Sequence, residues 1–252
     1  MDLSGVRAVY LYDGSFEGLL SAIFEAWHIP MESFANIKAE QNSTPSFHDK
    51  NIQVETDPDK TVRVRQWIRE KLPQGTEERI YEYFLSEDPD RERRIYFYLR
   101  ACNRLGKWVD SYLTDPAVAD FLKTEKRFRN ELHRMCGFTR FKLLEENVLF
   151  SEIVTDYNQL AGLGSFFLDR MPGQRFIIYD SRRNKAVLSN GTKLALFDRF
   201  RVDSLKEKTS GDHFEKLWKG YLQALTIEER RNYKLQRQTL PMKYRKCMTE
   251  FQ

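Results

Sequence analysis

The chain has 252 residues, 31% charged, 41% hydrophobic and 13% aromatic, a mixture that excludes a disordered or collagen-like protein and supplies a substantial core. No apolar run approaches the roughly 20 residues of a membrane span, and the N-terminus carries no secretory pattern, so a cytoplasmic protein without a membrane partner is expected. The net charge of +4 is small but unevenly placed: seven basic residues and no acidic one lie between Arg230 and Cys247, while the other 34 basic residues face 37 acidic ones.

Val6 to Tyr12 is a β-rich run, and Asp13-Gly14-Ser15 turns it into a helix from about Phe16 to Trp27 whose apolar face is Leu19, Leu20, Ile23, Phe24 and Trp27. Backbone N–H groups at that start suit a phosphate, but Ser15 as a plain helix cap is the simpler reading. Ile29 to Thr56 is polar and irregular except for a strand at Asn51 to Glu55. Three Asp-Pro pairs, at Asp57, Asp88 and Asp115, then open helices at about 58–71, 89–113 and 116–136, because a carboxylate caps the orphan N–H groups and proline fits the first turn. A further helix occupies about 76–86. The turn Leu72-Pro73-Gln74-Gly75-Thr76 resembles a helix–hairpin–helix turn but lacks its second glycine.

The chain is organised around the helix after Pro116. Val118, Phe121, Leu122, Phe128, Leu132 and Met135 share one face, and Lys123, Lys126, Arg127, Asn130 and Arg134 another. Gly137 is the expected terminator, followed by a strand at 138–144 and a hairpin partner at 148–154 across Glu145-Glu146-Asn147. A helix over 157–170 precedes strands at 175–180 and 185–189, and Asn190-Gly191 signals a hairpin to a strand at 193–197. Helices at about 212–225 and 227–237 close the chain, the first with Phe214, Leu217, Trp218, Tyr221 and Leu222 inward, and Pro241 interrupts the basic tail. The pattern predicts a single α+β domain over 1–252 with a mainly antiparallel sheet built from hairpins and flanked by amphipathic helices. It has a helical subregion at about 57–136, a sheet-rich centre at 137–200 and a helical basic C-terminus at 212–252.

The motifs of P-loop nucleotide hydrolysis, of the GxSxG nucleophile elbow and of the zinc deaminases are absent; His213-Phe214-Glu215 has no PCxxC to complete it. The three cysteines form no CxxC pair and read as reduced thiols, and His28, His48, His133 and His213 are scattered, so neither a metal nor a cofactor is expected. His133, beside Arg134 and near Arg140, has the strongest claim among the histidines to touch a phosphate or base. Asp13, Asp156 and Asp180 follow strands and are weaker acid–base candidates. Phosphate contacts are expected from Lys123, Arg127, Arg134 and Arg140 and from Lys243, Arg245 and Lys246. Tyr244 would stack on a base, the combination that grips single-stranded or distorted DNA.

Several blocks carry a family resemblance over nearly the whole chain: Tyr12 to Leu20, Glu131 to Phe141, Phe176 to Asp180, Leu217-Trp218-Lys219, Leu240 to Arg245 and Glu250-Phe251. In these the chain resembles a bacterial family of probable DNA metabolism or DNA repair proteins. Related domains are fused to uracil-DNA glycosylases or encoded beside a radical-SAM protein similar to spore photoproduct lyase. The resemblance therefore implies an accessory DNA-binding protein with such an enzyme as partner. Relatives carry histidine near the positions of Tyr157, Ser165 and Tyr179, and this chain does not, so any catalysis those histidines perform is not implied here. Two other readings stand beside it: a nucleic-acid-processing enzyme using His133, Asp13, Asp156 or Asp180, and a protein–protein adaptor without DNA affinity.

Overall fold

Val9, Tyr10, Leu11 and Tyr12 are all buried, as a strand covered on both faces requires. They belong to β1 (Arg7–Tyr12), the middle strand of a three-stranded sheet in the order β2–β1–β3, with β2 at Phe34–Ala39 and β3 at Asp49–Gln53. In this computed structural model residues 7–42, 49–144, 147–202, 213–230 and 232–251 are described. The expectations for Val6, His48, Glu145, Glu146 and Arg231 lie outside the described residues, as do those for the side chains of His213, Phe214 and Leu222. The chain divides into two compact units, Met1–Arg127 and Phe128–Gln252.

The fold is α+β, but the sheet of the first unit corrects the antiparallel expectation: β1 pairs in parallel with both β2 and β3. The reason is the connection. Helix α1 (Phe16–Ala26) returns the chain to the starting end, so the next strand runs the same way as β1. β2 is an unforeseen strand, because a register shift opposite Ala8 and Val9 inserts Ala35, and the buried residues Phe34, Ile37 and Ala39 lose strict alternation.

Two of the three Asp-Pro signals hold; after Asp88-Pro89 the chain first makes a turn, and the helix starts at Arg91 with Asp90 rather than Asp88 at its cap position. Asp57 accepts from the N–H groups of Asp59 and Lys60 at the start of α2 (Pro58–Lys71), and Asp115 Oδ1 from Ala117 N–H at 2.9 Å at the start of α5 (Pro116–Phe138). Between them lie α3 (Thr76–Leu85) and α4 (Arg91–Leu105). Helix α4 stops eight residues before the expected 113, where Gly106 takes φ +66°, and Tyr112 beyond it is exposed. The first unit's core is unusually aromatic. Tyr98 stacks on Phe121 at 4.1 Å and Phe34 on Tyr96 at 4.2 Å, each ring adding about 2 kcal/mol through apolar burial.

In the second unit, β4 (Lys142–Leu144), β5 (Val148–Ile153), β6 (Arg175–Asp180), β7 (Lys185–Asn190) and β8 (Leu194–Phe197) form one sheet in sequence order. Its pairs are antiparallel except β5–β6, which are parallel because α6 (Leu160–Arg170) crosses between them. A Cβ on Gly164 would lie 2.9 Å from Val187, and one on Gly162 would lie 2.8 Å from Leu132, so small residues let α6 press against both the sheet and α5. The β7–β8 hairpin forms as expected. Asn190 N–H donates to Lys193 O, which places Gly191, at φ +98°, first of the two central residues.

Two expectations fail near the chain's middle and end. Gly137 does not terminate α5; the helix runs on to Phe138, and Thr139 and Arg140 cover the last carbonyls, with Arg140 Nη1 2.7 Å from Gly137 O. Helix α7 (His213–Leu225) does not bury Leu217 and Tyr221, which are 54% and 55% exposed. After it come α8 (Tyr233–Thr239) and α9 (Met242–Arg245). Among the described residues no helix is long and apolar enough to cross a membrane.

Candidate functional site

Parallel pairing sets Ile153 opposite Asp180, so the loops after β5 and β6 leave the same edge of the second sheet. The carboxyl ends of parallel strands are where open α/β sheets bind ligands. Asp180 is fully buried there. It accepts from Arg182 N–H at 3.0 Å, Arg183 Nη1 at 2.7 Å and Thr155 Oγ1 at 3.3 Å. Arg183 also donates to the carbonyl of Asp156 at 2.5 Å, which ties the two loops together. Arginine suits this position because its planar fork serves a carboxylate and two carbonyls at once.

Glu131 is the second anchor. It comes from the buried face of α5 and is only 4% exposed. Its carboxylate accepts from the backbone N–H groups of Asp156 and Tyr157, both at 2.9 Å, from Tyr244 Oη at 2.7 Å and from Gln159 Nε2 at 3.3 Å. Lys243 Nζ stands 3.7 Å from it and also pairs with Asp156. So many donors are what a buried carboxylate demands. Burial, and then the bond to Glu131, push the Tyr244 phenol well above its ordinary range, which fixes it as a donor.

The predicted site residues therefore separate. Asp13 belongs to the first unit, where it accepts from Ser15 N–H and Oγ and from Thr56 Oγ1; Ser15 in turn caps α1 through Gly18 N–H. Burial raises the Asp13 pKa, but the bonds from Ser15 and Thr56 outweigh it and leave the group below the usual carboxylate range. The loop is a capped helix start, and its own carboxylate takes the donors a phosphate would need. Asp156 and Asp180 meet in the network just described, both engaged by basic side chains. His133 is exposed on α5 and stands outside that network.

Of the residues expected to hold nucleic acid, Lys123 and Arg127 are exposed in the first unit, and Arg134 is exposed in the second. Arg140 pairs with Glu250 at 2.8 Å and lies 5.5 Å from the Trp218 ring. Lys243 is held by Asp156 and Glu131, Arg245 sits over the Phe251 ring at 4.7 Å, and Lys246 is exposed. Tyr244 is 4% exposed and cannot offer its face to a base, a correction forced by the need of Glu131 for a donor.

Sequence reasoning missed Glu131, Thr155 and Arg183. Glu131 left one usable signal: it falls three residues after Phe128 and four before Met135, on the apolar face, where an acid has to meet donors. Among the described residues no group of three or more His, Cys, Asp or Glu is arranged to hold a metal ion. No curated protein matches the chain. A family model described as a domain of unknown function (DUF4130) matches residues 89–250, and the chain belongs to that family.

Proposed function

We propose that the second unit is an accessory nucleic-acid-binding module that grips single-stranded or distorted DNA and works beside a partner enzyme. One observation carries this reading. Every residue of α8 is exposed, Tyr233 by 60%, and neither Lys234 nor Arg237 forms an ion pair among the described residues. A helix this short does not persist for its own sake. Cations next to an exposed aromatic ring suit phosphates and an unstacked base. Arg134, exposed on α5 in the same unit, adds a further cation.

The contacts thus fall on residues next to the tail's ion pairs rather than on Lys243 and Tyr244. The exposed stripe Leu217, Tyr221 and Leu225 on α7 supports the partner, because apolar residues four apart on an uncovered helix face suit a protein groove. Titrating fluorescently labelled single- and double-stranded DNA into the protein at two salt concentrations tests the reading. Three phosphate contacts predict that the logarithm of affinity for single strands falls by about 2 per tenfold rise in salt. No binding at low salt removes the proposal.

A further inference from the structure

The first unit holds a cleft that the nucleic-acid reading does not use. It lies between α1 and α2, encloses about 220 Å³ and is walled by Ile23, Phe24, Trp27 and Trp67, with His28 and Arg63 at its rim. We infer that this cleft binds a planar aromatic ring carrying an anionic group, of which a purine nucleotide is the natural example.

The walls argue for the ring. Trp27 and Trp67 pack edge to face at 5.5 Å with their planes 62° apart, both half-buried, and both line the cleft, so its wall is aromatic. Trp27 is held from behind: Arg100 lies over its ring at 5.2 Å and donates to its carbonyl at 2.7 Å. A wall fixed in this way keeps its shape without a ligand. An engineered cavity of about 150 Å³ accepts benzene, so this volume admits one ring system, with the charged end of its substituent outside at the rim.

The rim argues for the charge. Arg63 is exposed and forms no ion pair among the described residues, and His28 is exposed with its ring edge-on to Phe24 at 6.1 Å. Neighbouring cations are neutralised locally: Lys60 pairs with Glu25, and Arg65 with Glu17 and Glu77. Among the described residues Arg63 is thus a guanidinium at the mouth of an aromatic cleft without a carboxylate of its own. Phosphate and carboxylate are the groups its fork recognises best.

The four tryptophans give the test a local readout. Adenosine 5′-monophosphate is titrated into the full chain while the indole N–H resonances are followed. Saturable shifts of Trp27 and Trp67, with Trp108 and Trp218 unmoved, are expected. Adenosine alone and inorganic phosphate alone should each bind at least tenfold more weakly. Arg63→Ala, at an exposed position that leaves the fold intact, should weaken binding about tenfold, as loss of a charge-assisted contact does. His28→Ala gives a smaller loss. A 5′-phosphorylated trinucleotide that displaces the monophosphate assigns the cleft to a strand end, and one that does not assigns it to the free nucleotide. Absence of saturable shifts, shifts of all four indoles alike, or unchanged affinity in Arg63→Ala overturns the inference.

Discussion

Each unit sets tyrosine hydroxyls on carboxylates, Tyr12 on Glu92 and Tyr98 on Asp110 in the first and Tyr244 on Glu131 in the second, and Asp110 and Glu131 are satisfied in different ways. In the first, Asp110 accepts from Tyr98 at 2.6 Å and from Arg79 at 2.7 Å, so a full positive charge sits against it. In the second, Glu131 accepts mainly from neutral donors, two backbone N–H groups and Tyr244, with Lys243 farther off at 3.7 Å. The Asp110 side chain is 34% exposed, whereas that of Glu131 is 5% exposed. The first arrangement is an ion pair near the surface, where water takes up part of any loss. The second holds three segments on one buried group: α5, the loop after β5, and the tail. The first unit rests on stacked rings and the second on a single shared acceptor.

The largest expected effect follows directly. Glu131→Ala leaves two part-buried N–H groups and a buried hydroxyl without an acceptor and should destabilise the chain by about 4 kcal/mol in chemical denaturation. Asp110→Ala should lose about 2 kcal/mol, and an equal or larger loss there would reverse the comparison. Next comes Gly191→Ala. A Cβ there lies 2.7 Å from Gly173 O at a φ of +98°, so a loss of about 2 kcal/mol is expected, read as a lowered Tm. Tyr244→Phe removes one donor and keeps the ring, for a loss of about 1 kcal/mol. Limited proteolysis should then cut faster beyond Leu240.

Acidification sharpens the contrast. Burial raises the Asp110 pKa, but the bonds from Arg79 and Tyr98 outweigh it and hold it below the usual value. Its contribution to stability is therefore complete above the unfolded value of about 4 and is lost as pH falls through the lower folded value. Asp110→Asn should flatten the acid limb of the stability profile below about pH 4. The smallest effect is chemical. Burial pushes the Cys102 thiol up to about 12, so it should escape alkylation at pH 8 in the folded chain.

Local signals were readable in the sequence, and distant ones were not. The Asp-Pro starts of α2 and α5 and the Asn190-Gly191 hairpin depend on neighbours a few residues away, and they stand where expected. β2 was hidden because Ala35 interrupts its alternation, and the parallel sheet because pairing direction is set by the path of α1. Gly137 misled because a glycine ends a helix only where the chain takes a left-handed turn, and here Thr139 and Arg140 do the capping. The site shows the same divide. Counting charges along the tail could not reveal that Lys243 meets Asp156 from 87 residues away, or that Arg140 meets Glu250 from 110. Yet the blocks that carried the family resemblance, around Glu131, Asp180 and Tyr244, come together in one network of the second unit.

That network engages Lys243 and leaves Lys234 and Arg237 exposed, and one comparison of variants tests whether the two groups differ as proposed. Fluorescence anisotropy with labelled single-stranded DNA at low salt would be measured for the intact chain, for Lys234→Glu with Arg237→Glu, and for Tyr244→Phe. The account predicts at least a tenfold loss of affinity for the double charge reversal and no change for Tyr244→Phe at a temperature where both variants remain folded. Unchanged affinity in the charge-reversed protein, or a loss confined to Tyr244→Phe, would contradict it.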